Sequence, residues 1–483
     1  MVFSDLFFIY VFLPAAAICY ALGRCGDHSR MRRLREYGQP RIRCECPYSN
    51  AVLIIFSLIF YAWGEPIYVA LMIVSVFMNY VVGVFIDGGR HKSKAALIVG
   101  LILNIGIIAV FKYADFLAET LNAVGVPVPK PGIALPIGIS FFTFQSISYI
   151  IDVYRGQVRA QKDFFSLLLY ISMFPQLIAG PIVRYSTISA EINRRSISMH
   201  DLAEGSFRFL VGLGKKVILA NQLGELSAAF LDGDFASLST GGAWIGILAY
   251  TMQIYFDFSG YSDMAIGLGR MLGFRFLENF NYPFLADSIT DFWRRWHISM
   301  GTWFRDYVYI PLGGNKGGLA KQLSNIAIVW LLTGFWHGAS WNFVLWGVYF
   351  GILLVLEKLF LLRWLKRLPA VLRHIYALVL VTISWTLFAF TEISKGAAWC
   401  KAMLSGVLFD SSSLYLLLTY GPMLAICALA ATPLGKRCYE KLNSRLGPRA
   451  LTVVDCGGLA CVLVMAAAYL VSGSYNPFLY FRF

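Results

Sequence analysis

Two histidines lie in apolar parts of the sequence, where an imidazole can take part in acid–base chemistry. His337 lies in the stretch LLTGFWHGASW, inside a run (residues 326–356) that contains no Asp, Glu, Lys or Arg. His297 precedes it in WRRWHISM. A neutral imidazole accepts a proton from a hydroxyl nucleophile, as acyl transfer requires. For either histidine alone, the alternative is a structural hydrogen bond between helices.

Three arginines near His297 are candidates for binding a negatively charged acyl donor. Arg294 and Arg295 come just before this histidine, and Arg305 follows it. Guanidinium groups bind phosphate oxygens well, but within a membrane they also occur as partners of buried acids. Both roles are open for each arginine.

Two further residues are predicted to contact the substrate or the donor. Trp336 directly precedes His337, and Asp257 lies in the membranous segment IYFDFSG. Asp257 is also a candidate for orienting a histidine. The spacing of cysteines and histidines does not form a metal-binding motif, so no metal site is expected.

These residues belong to a chain whose composition is that of a membrane protein. Hydrophobic residues make up 58% and charged residues 14% of the sequence, whereas soluble domains average about a quarter charged. Apolar segments of spanning length recur throughout, and we expect an all-α polytopic protein with about 10–13 transmembrane or re-entrant helices. The predicted spans begin near Phe3, Ala51, Pro66, Ala95, Ile133, Phe164, Leu202, Gly242, Leu323, Trp341, Ile375, Leu414 and Thr452.

The distribution of arginines predicts the topology. Residues 24–43 contain seven arginines and two acidic residues, and residues 363–373 and 436–449 are also basic. The positive-inside rule places such loops in the cytoplasm, so both termini are predicted to be extracytoplasmic. The net charge of +14 then reflects this bias and contact with membrane lipid, and a nucleic-acid partner is not expected.

We predict one membrane domain over residues 1–483. Its parts are N-terminal transmembrane helices (1–250), a catalytic core with re-entrant helices (251–360), C-terminal transmembrane helices (361–471) and an extracytoplasmic motif (472–483). From Asn279 to the turn PLGGNKGG, charged and aromatic residues alternate too closely for a helix exposed to lipid. Amphipathic and re-entrant helices around a polar interior are therefore expected there.

Several motifs resemble those of the membrane-bound O-acyltransferases, and among these the bacterial alginate O-acetyltransferase branch. They are DFWRRWHISMGTWFRDYVYIPLGG and WLLTGFWHGASWNFVLWG, with VFSDLFFIYVFLP, LPIGISFFTFQSISYIIDVYRG, FPQLIAGPIVRY and NPFLYFRF elsewhere. The resemblance covers nearly the whole chain. It implies a ring of transmembrane helices around a thin core with a central tunnel. It also implies that His337 is the essential catalytic residue and that His297 lines the same tunnel.

The resemblance implies a reaction and its partners. A cytosolic thioester, acetyl-CoA or an acyl carrier protein, would donate an acetyl group for O-acetylation of a cell-envelope polysaccharide outside the plasma membrane. No bound cofactor is expected. Because the sequence has no obvious soluble hydrolase-like domain, a separate extracytoplasmic transferase of the SGNH-hydrolase type is an expected partner.

The C-terminal motif NPFLYFRF resembles the end of the small partner peptide in teichoic acid D-alanylation, whose tyrosine is proposed to carry the acyl group. By analogy, Tyr480 is a possible acyl relay. The alternative is an aromatic anchor at the membrane interface.

Other functions remain open at this stage. D-alanyl transfer to teichoic acid and acylation of a lipid are the enzymatic alternatives. A proton-coupled transporter would use Asp257, Asp263 and His337 as a relay, but inverted repeats are not evident. A purely structural scaffold would tolerate the loss of both membrane-core histidines.

Overall fold

The computed structural model describes residues 1–36, 44–88, 90–233, 235, 238–404, 406–473, 476 and 479 of the chain. Within these residues every regular element is a helix, and no β-strand occurs. Long apolar runs favour this because a helix satisfies its own backbone hydrogen bonds in hydrocarbon. The prediction of an all-α polytopic protein is confirmed.

The chain forms two compact units. The first comprises Met1–Phe209 and Tyr261–Leu277. It holds α1 to α9, most of α10 and the end of α12. The bounds are α1 Leu13–Glu36, α2 Pro47–Gly64, α3 Tyr68–Asp87, α4 Arg90–Ile108, α5 Ala114–Ala123, α6 Ile139–Tyr154, α7 Phe164–Ser172, α8 Phe174–Leu177, α9 Tyr185–Asn193 and α10 Met199–Gly214.

The second unit comprises Leu210–Gly260 and Glu278–Phe483, and it contains both membrane-core histidines. Its helices are α11 Asn221–Leu231, α12 Thr240–Met271 (which continues into the first unit), α13 Ile289–Arg295, α14 Ile298–Phe304, α15 Gly318–His337, α16 Trp341–Leu356, α17 Leu362–Leu365, α18 Ala370–Ala389, α19 Ile393–Ala402, α20 Ser411–Ala430, α21 Leu434–Asn443 and α22 Pro448–Ser472. Short π-helical turns join several of them, among them Lys215–Ala220 and Arg305–Tyr309.

Eight helical segments within the described residues are long and apolar enough to cross a membrane. They are Phe8–Leu34, Pro47–Gly64, Tyr68–Asp87, Ser93–Ala123, Trp341–Leu365, Ala370–Ala389, Ser411–Ala430 and Arg449–Ser472. The other predicted spans form helices that fall short of these criteria. The span predicted from Phe164 is the nine-residue helix α7, which stops just before Pro175.

The first basic segment differs from its prediction. The sequence was interpreted as a loop over residues 24–43, but α1 continues to Glu36 and carries the first of these arginines as a helix. Arginine has a high helix propensity, so a spanning helix extends readily beyond the hydrocarbon. The segment is still basic, so the positive-inside rule still predicts that it lies on the cytoplasmic side of the membrane.

The segment predicted to contain re-entrant helices consists of two seven-residue helices, α13 and α14, followed by a π-helical turn. The buried carboxylate of Glu357 fixes the start of α13 by accepting hydrogen bonds from the backbone N–H groups of Ile289 and Thr290, at 2.7 and 2.8 Å. A carboxylate at a helix N-terminus satisfies N–H groups that have no partner within the helix. This contact fixes the direction of the helix that leads to His297.

Candidate active site

His337 is the last residue of α15, at the tip of a tightly packed pair of helices. Gly338 is extended, and α16 begins at Trp341. The two helices approach closely because glycines face each other. A Cβ atom on Gly334 would lie 2.6 Å from the carbonyl oxygen of Phe343, and one on Gly347 would lie 2.5 Å from that of Trp330. The helix pair therefore holds His337 on a rigid support.

Aromatic rings surround the His337 side chain. Its ring centroid lies 4.9 Å from that of Trp336, 4.8 Å from that of Trp346 and 5.5 Å from that of Phe388. His337 itself is only 6% exposed. Aromatic rings therefore form much of the surroundings of this imidazole, which would act as a general base in its neutral form.

His297 lies at the start of α14 in an unusual backbone conformation. Its φ is +45°, in the left-handed region that residues other than glycine seldom adopt, and its side chain is fully buried. Neighbouring backbone hydrogen bonds hold this conformation, because Ile298 N donates to Asn279 O at 2.9 Å and Asn281 N donates to Arg295 O at 2.9 Å. Such strain persists where the surroundings enforce it, and it is frequent at functional sites.

Asn279 determines which nitrogen of His297 carries the proton. The backbone N–H of Ser299 donates to Asn279 Oδ1 at 3.2 Å, which identifies that atom as the amide oxygen. His297 Nδ1 lies 3.0 Å from the same oxygen and must therefore be the donor. In the neutral ring the lone pair is then on Nε2, which can accept a proton but cannot donate a hydrogen bond to a carbonyl oxygen.

Trp336 connects the two histidines. Its ring lies 5.8 Å from that of His297 and is in contact with His337 as well. On the opposite side, Phe258 of α12 packs edge-on against His297 at 4.8 Å. The structure thus brings together three of the residues predicted from the sequence: both histidines and Trp336.

One cavity adjoins His337 on the side of Phe388, and we call it the Phe388 cavity. Its volume is about 1190 Å³. The wall combines apolar and charged groups, among them Gln253, Phe388, Lys395 and Leu479. His337 does not line this cavity, and its ring contacts the cavity wall only at Phe388.

A second cavity, the Trp293 cavity, has a volume of about 510 Å³ and a separate set of lining residues. Trp293 and Trp330 are in its wall, and their rings lie 5.5 and 6.3 Å from that of Trp346, which contacts His337. Thr333, one helical turn before His337, also lines it. His337 lines neither cavity: its ring contacts Phe388 in the wall of the first, and Trp346 packs between it and the tryptophans in the wall of the second.

The predicted arginines have different positions. Arg294 and Arg305 line the Trp293 cavity. Arg305 also pairs with Asp306 at 2.6 Å, and this hydrogen bond raises the pKa of the guanidinium, which stays charged. Arg295 instead pairs with Asp291 one turn earlier on α13, at 2.8 Å, and is not part of the cavity wall.

Asp257 contacts groups other than the histidines. Its Oδ1 pairs with Lys216 Nζ at 2.7 Å, and its Oδ2 accepts a hydrogen bond from the Leu479 backbone N–H at 2.9 Å. Both carboxylate oxygens are thus engaged. The role that the sequence suggested, orientation of a histidine, has no contact that supports it.

Sequence reasoning missed four residues of the site: Asn279, Trp346, Phe388 and Lys216. For Asn279 a signal was present, because it is a polar residue at the start of a mainly apolar loop, and for Lys216 the signal was a charge within a predicted span. Trp346 is fully buried, and among the described residues none accepts a hydrogen bond from its indole Nε1–H. A buried donor of this kind requires an explanation.

Tyr480 lies outside the described residues. Among the residues that are described, no group of three or more His, Cys, Asp or Glu side chains could hold a metal ion.

Comparison with known proteins identifies the family. Residues 157–394 match the model of the membrane-bound O-acyltransferase family. The chain is 36% identical to the probable alginate O-acetylase AlgI of Azotobacter vinelandii over the full length of both proteins. It is 31% identical to the peptidoglycan O-acetyltransferase of Helicobacter pylori over all of this chain and 98% of that protein. It is 28% identical to the teichoic acid D-alanyltransferase of Bacillus subtilis over 53% of this chain and 67% of that protein.

Proposed function

Because the chain belongs to the membrane-bound O-acyltransferase family, we propose that it passes an acetyl group from a cytosolic thioester to an acceptor outside the cell membrane. The acceptor is a cell-envelope polysaccharide. Two full-length relatives carry the names of enzymes that acetylate alginate and peptidoglycan, which favours a polysaccharide. A separate extracytoplasmic transferase completes the reaction on the polymer.

One observation carries this proposal: the ring of His337 contacts Phe388 in the wall of one cavity, and contacts Trp346, which packs against the wall of the other. A thioester in one cavity and a hydroxyl acceptor in the other would both reach the same imidazole. The Trp293 cavity suits the donor, because Arg294 and Arg305 supply positive charge for phosphate groups.

The positions of the cavities along the spans suggest which side each one faces. Leu354, in the Trp293 cavity, precedes the basic segment 363–373, whereas Phe388 lies at the far end of the span that follows this segment. If the basic segment is cytoplasmic, the Trp293 cavity faces the cytoplasm and the Phe388 cavity faces outward.

The proposed reaction is a one-step acyl transfer from the thioester to a hydroxyl group, which in the relay described below is the hydroxyl of Tyr480. His337 removes the proton from the acceptor hydroxyl as its oxygen attacks the thioester carbonyl. The C–O bond forms, the C–S bond breaks, and the thiolate leaves with the proton held by the imidazolium. The indole N–H of Trp346, next to His337, is the donor that we assign to the oxyanion. His297, with its lone pair on Nε2, belongs to the proton path and does not bind the carbonyl.

A sidedness assay tests direction and donor together. The protein is reconstituted into sealed proteoliposomes, and proteolysis of segment 363–373 determines which way it is inserted. Isotope-labelled acetyl-CoA is then supplied on the side of this segment, with polysaccharide and the soluble transferase on the other. Label on the polysaccharide supports the proposal. Label only on the donor side would refute the direction, and lack of acetyl-CoA turnover would refute the donor.

Tyr480 as an acyl relay is part of the proposal. Leu479 lines the Phe388 cavity, and Tyr480 is the next residue of the chain. Intact-protein mass spectrometry after incubation with labelled acetyl-CoA would compare the wild type with Tyr480→Phe and His337→Ala. A labelled acetyl group on Tyr480, absent from both variants, supports the relay. Transfer to the acceptor at the wild-type rate by Tyr480→Phe would reduce this residue to a membrane anchor.

D-alanyl transfer is the second enzymatic candidate, favoured by the similarity to the Bacillus subtilis protein, which covers about half of this chain. A D-alanyl carrier protein replacing acetyl-CoA in the same assay distinguishes the two. A proton-coupled transporter has less support, because the two aspartates proposed for its relay are paired with cations. Asp257 pairs with Lys216, and Asp263 pairs with Arg208 at 2.8 Å.

A further inference from the structure

The C-terminal end of the chain is tied to a buried ion pair in the second unit. Lys216 Nζ and Asp257 Oδ1 are 2.7 Å apart, and each side chain is only 3% exposed. The other oxygen of Asp257 accepts the backbone N–H of Leu479 at 2.9 Å. A residue 222 positions along the chain from Asp257 is therefore bound directly to one member of the pair.

A second contact binds the tail to the same pair. Lys216 Nζ donates to Asn221 Oδ1 at 3.0 Å, and Asn221 Nδ2 donates to Asn476 Oδ1 at 3.2 Å. Two tail residues, Asn476 and Leu479, are thus held from the two ends of one hydrogen-bonded chain. Networks with every member engaged fix one geometry more firmly than separate bonds do.

Close helix packing makes the pair possible. A Cβ atom on Gly260, one turn after Asp257 on α12, would lie 2.7 Å from Gly212 O and 3.1 Å from Lys216 N. Only glycine allows α12 to approach the segment that carries Lys216 so closely. The approach excludes water and brings the two charges into contact.

The tail is bound where it can influence the reaction. Leu479 is 6% exposed and lines the Phe388 cavity, as does Gln253, one turn before Asp257 on α12. Phe258, the residue after Asp257, packs against His297. Two consecutive residues of α12 therefore contact the tail and the second histidine.

We propose that Lys216 and Asp257 are positioning residues that hold the C-terminal tail against the cavity adjoining His337, so that the tail forms part of the acceptor side of the active site. The inference rests on the proposed function for its transfer readout but not for the anchoring itself. The ion pair keeps Leu479 in place through Asp257 Oδ2, and Leu479 forms part of the cavity wall.

Two double variants distinguish the loss of the hydrogen bond to the Leu479 N–H from the loss of the charges on Lys216 and Asp257. Lys216→Met with Asp257→Asn removes both charges but keeps an oxygen that can accept the Leu479 N–H. Lys216→Met with Asp257→Leu removes the charges and the acceptor together. Because neither variant leaves an uncompensated buried charge, the comparison isolates the hydrogen bond to the tail.

Hydrogen–deuterium exchange of the C-terminal peptide and acetyl transfer are measured in both full-length variants. We expect exchange at the Leu479 amide to be at least about tenfold faster in the Leu variant than in the Asn variant, because an amide that has lost its acceptor is no longer protected from exchange. We also expect kcat for transfer to fall by at least about tenfold in the Leu variant, with KM for the donor unchanged in both. Equal exchange rates would overturn the anchor, and equal kcat values would overturn its role in transfer.

A second pair of variants answers the same question without altering the membrane core. Leu479→Pro removes the N–H that Asp257 accepts, and Leu479→Ala keeps it. Transfer should fall further in the Pro variant than in the Ala variant, which loses side-chain contacts at the cavity wall but keeps the N–H, and the opposite order would contradict the proposal. If wild-type protein does not use acetyl-CoA, the proposed donor is wrong, yet the exchange experiment still decides whether the tail is anchored.

Discussion

The second unit buries two polar centres whose surroundings are opposite in character. His337 and His297 are enclosed by neutral aromatic rings, whereas Lys216 and Asp257 neutralise each other and bind the tail. Groups that must exchange protons need an environment that leaves them reactive, while buried charges persist when they are paired. The comparison leads to two expectations. Changes at the histidine centre should mainly lower the transfer rate, and changes at the ion pair should mainly lower the stability of the folded protein.

The largest effect is expected at the histidine centre. His337→Ala removes the proposed general base and should lower the transfer rate about 10²–10⁴-fold, with little change in thermal stability. His200→Ala, a histidine with an exposed side chain, is the matched control and should transfer at the wild-type rate. Labelled-acetyl transfer and thermal unfolding in detergent measure the two properties. A His337→Ala protein with wild-type activity would contradict the assignment.

At the ion pair, the expected effect is on stability. Lys216→Met alone leaves the Asp257 carboxylate buried without its counter-charge, and we expect a loss of about 3–5 kcal/mol in the free energy of unfolding. Adding Asp257→Asn should recover much of this loss. Thermal and denaturant unfolding of the purified variants test the expectation. If the single and double variants were equally stable, the pair would have no structural role of this kind.

Trp346 tests whether the aromatic enclosure also stabilises charge. Trp346→Phe keeps an aromatic ring but removes the indole N–H, and a lost oxyanion donor lowers kcat about 10²–10³-fold. Trp385→Phe is the control, because its indole Nε1–H is also buried without an acceptor among the described residues, but its rings contact Trp346 and Phe388 and not His337. Equal losses of kcat in the two variants would indicate packing and not charge stabilisation.

The smallest effect is expected for the donor arginines, and here adjacent residues provide the comparison. Arg294→Gln removes a charge from the wall of the Trp293 cavity and should raise KM for acetyl-CoA about tenfold. This is the change expected when one charge-assisted hydrogen bond to the donor, worth about 1.5 kcal/mol, is lost. Arg295→Gln disrupts the pair with Asp291 and a 3.5 Å hydrogen bond to the Asn281 carbonyl oxygen, neither of which belongs to the cavity wall, and should leave KM unchanged. Steady-state kinetics in detergent measure both. Equal KM values would argue against the Trp293 cavity as the donor site.

The sequence predicts much of the fold from local patterns, whereas the catalytic role of the two histidines stays a prediction. Apolar runs predict the helices, and a histidine within such a run is recognisable without a structure. The predicted short helices before the turn PLGGNKGG are present as α13 and α14. The topology of the termini stays a prediction.

Contacts between distant segments could not be predicted in the same way. Asp257 was considered a partner for a histidine, since periodicity places residues on a helix face but does not say which helix that face meets. Its partners, Lys216 and the Leu479 amide, come from segments on either side in sequence. The position of the proton on His297 likewise depends on Asn279, an earlier residue that a turn of the chain brings next to the histidine ring.

The close approach of Gly334 and Gly347 has a consequence for the membrane as a barrier. Two cavities have walls that pack against the residues around His337, and a leak of ions between them would dissipate the transmembrane voltage. Between these helices the backbones are so close that a single added carbon would overlap a carbonyl oxygen. A water molecule does not fit in such a gap. The close contact of the two glycines thus blocks the passage of ions between these helices, next to the proposed route of the acyl group. A larger residue at either position should produce a measurable ion conductance.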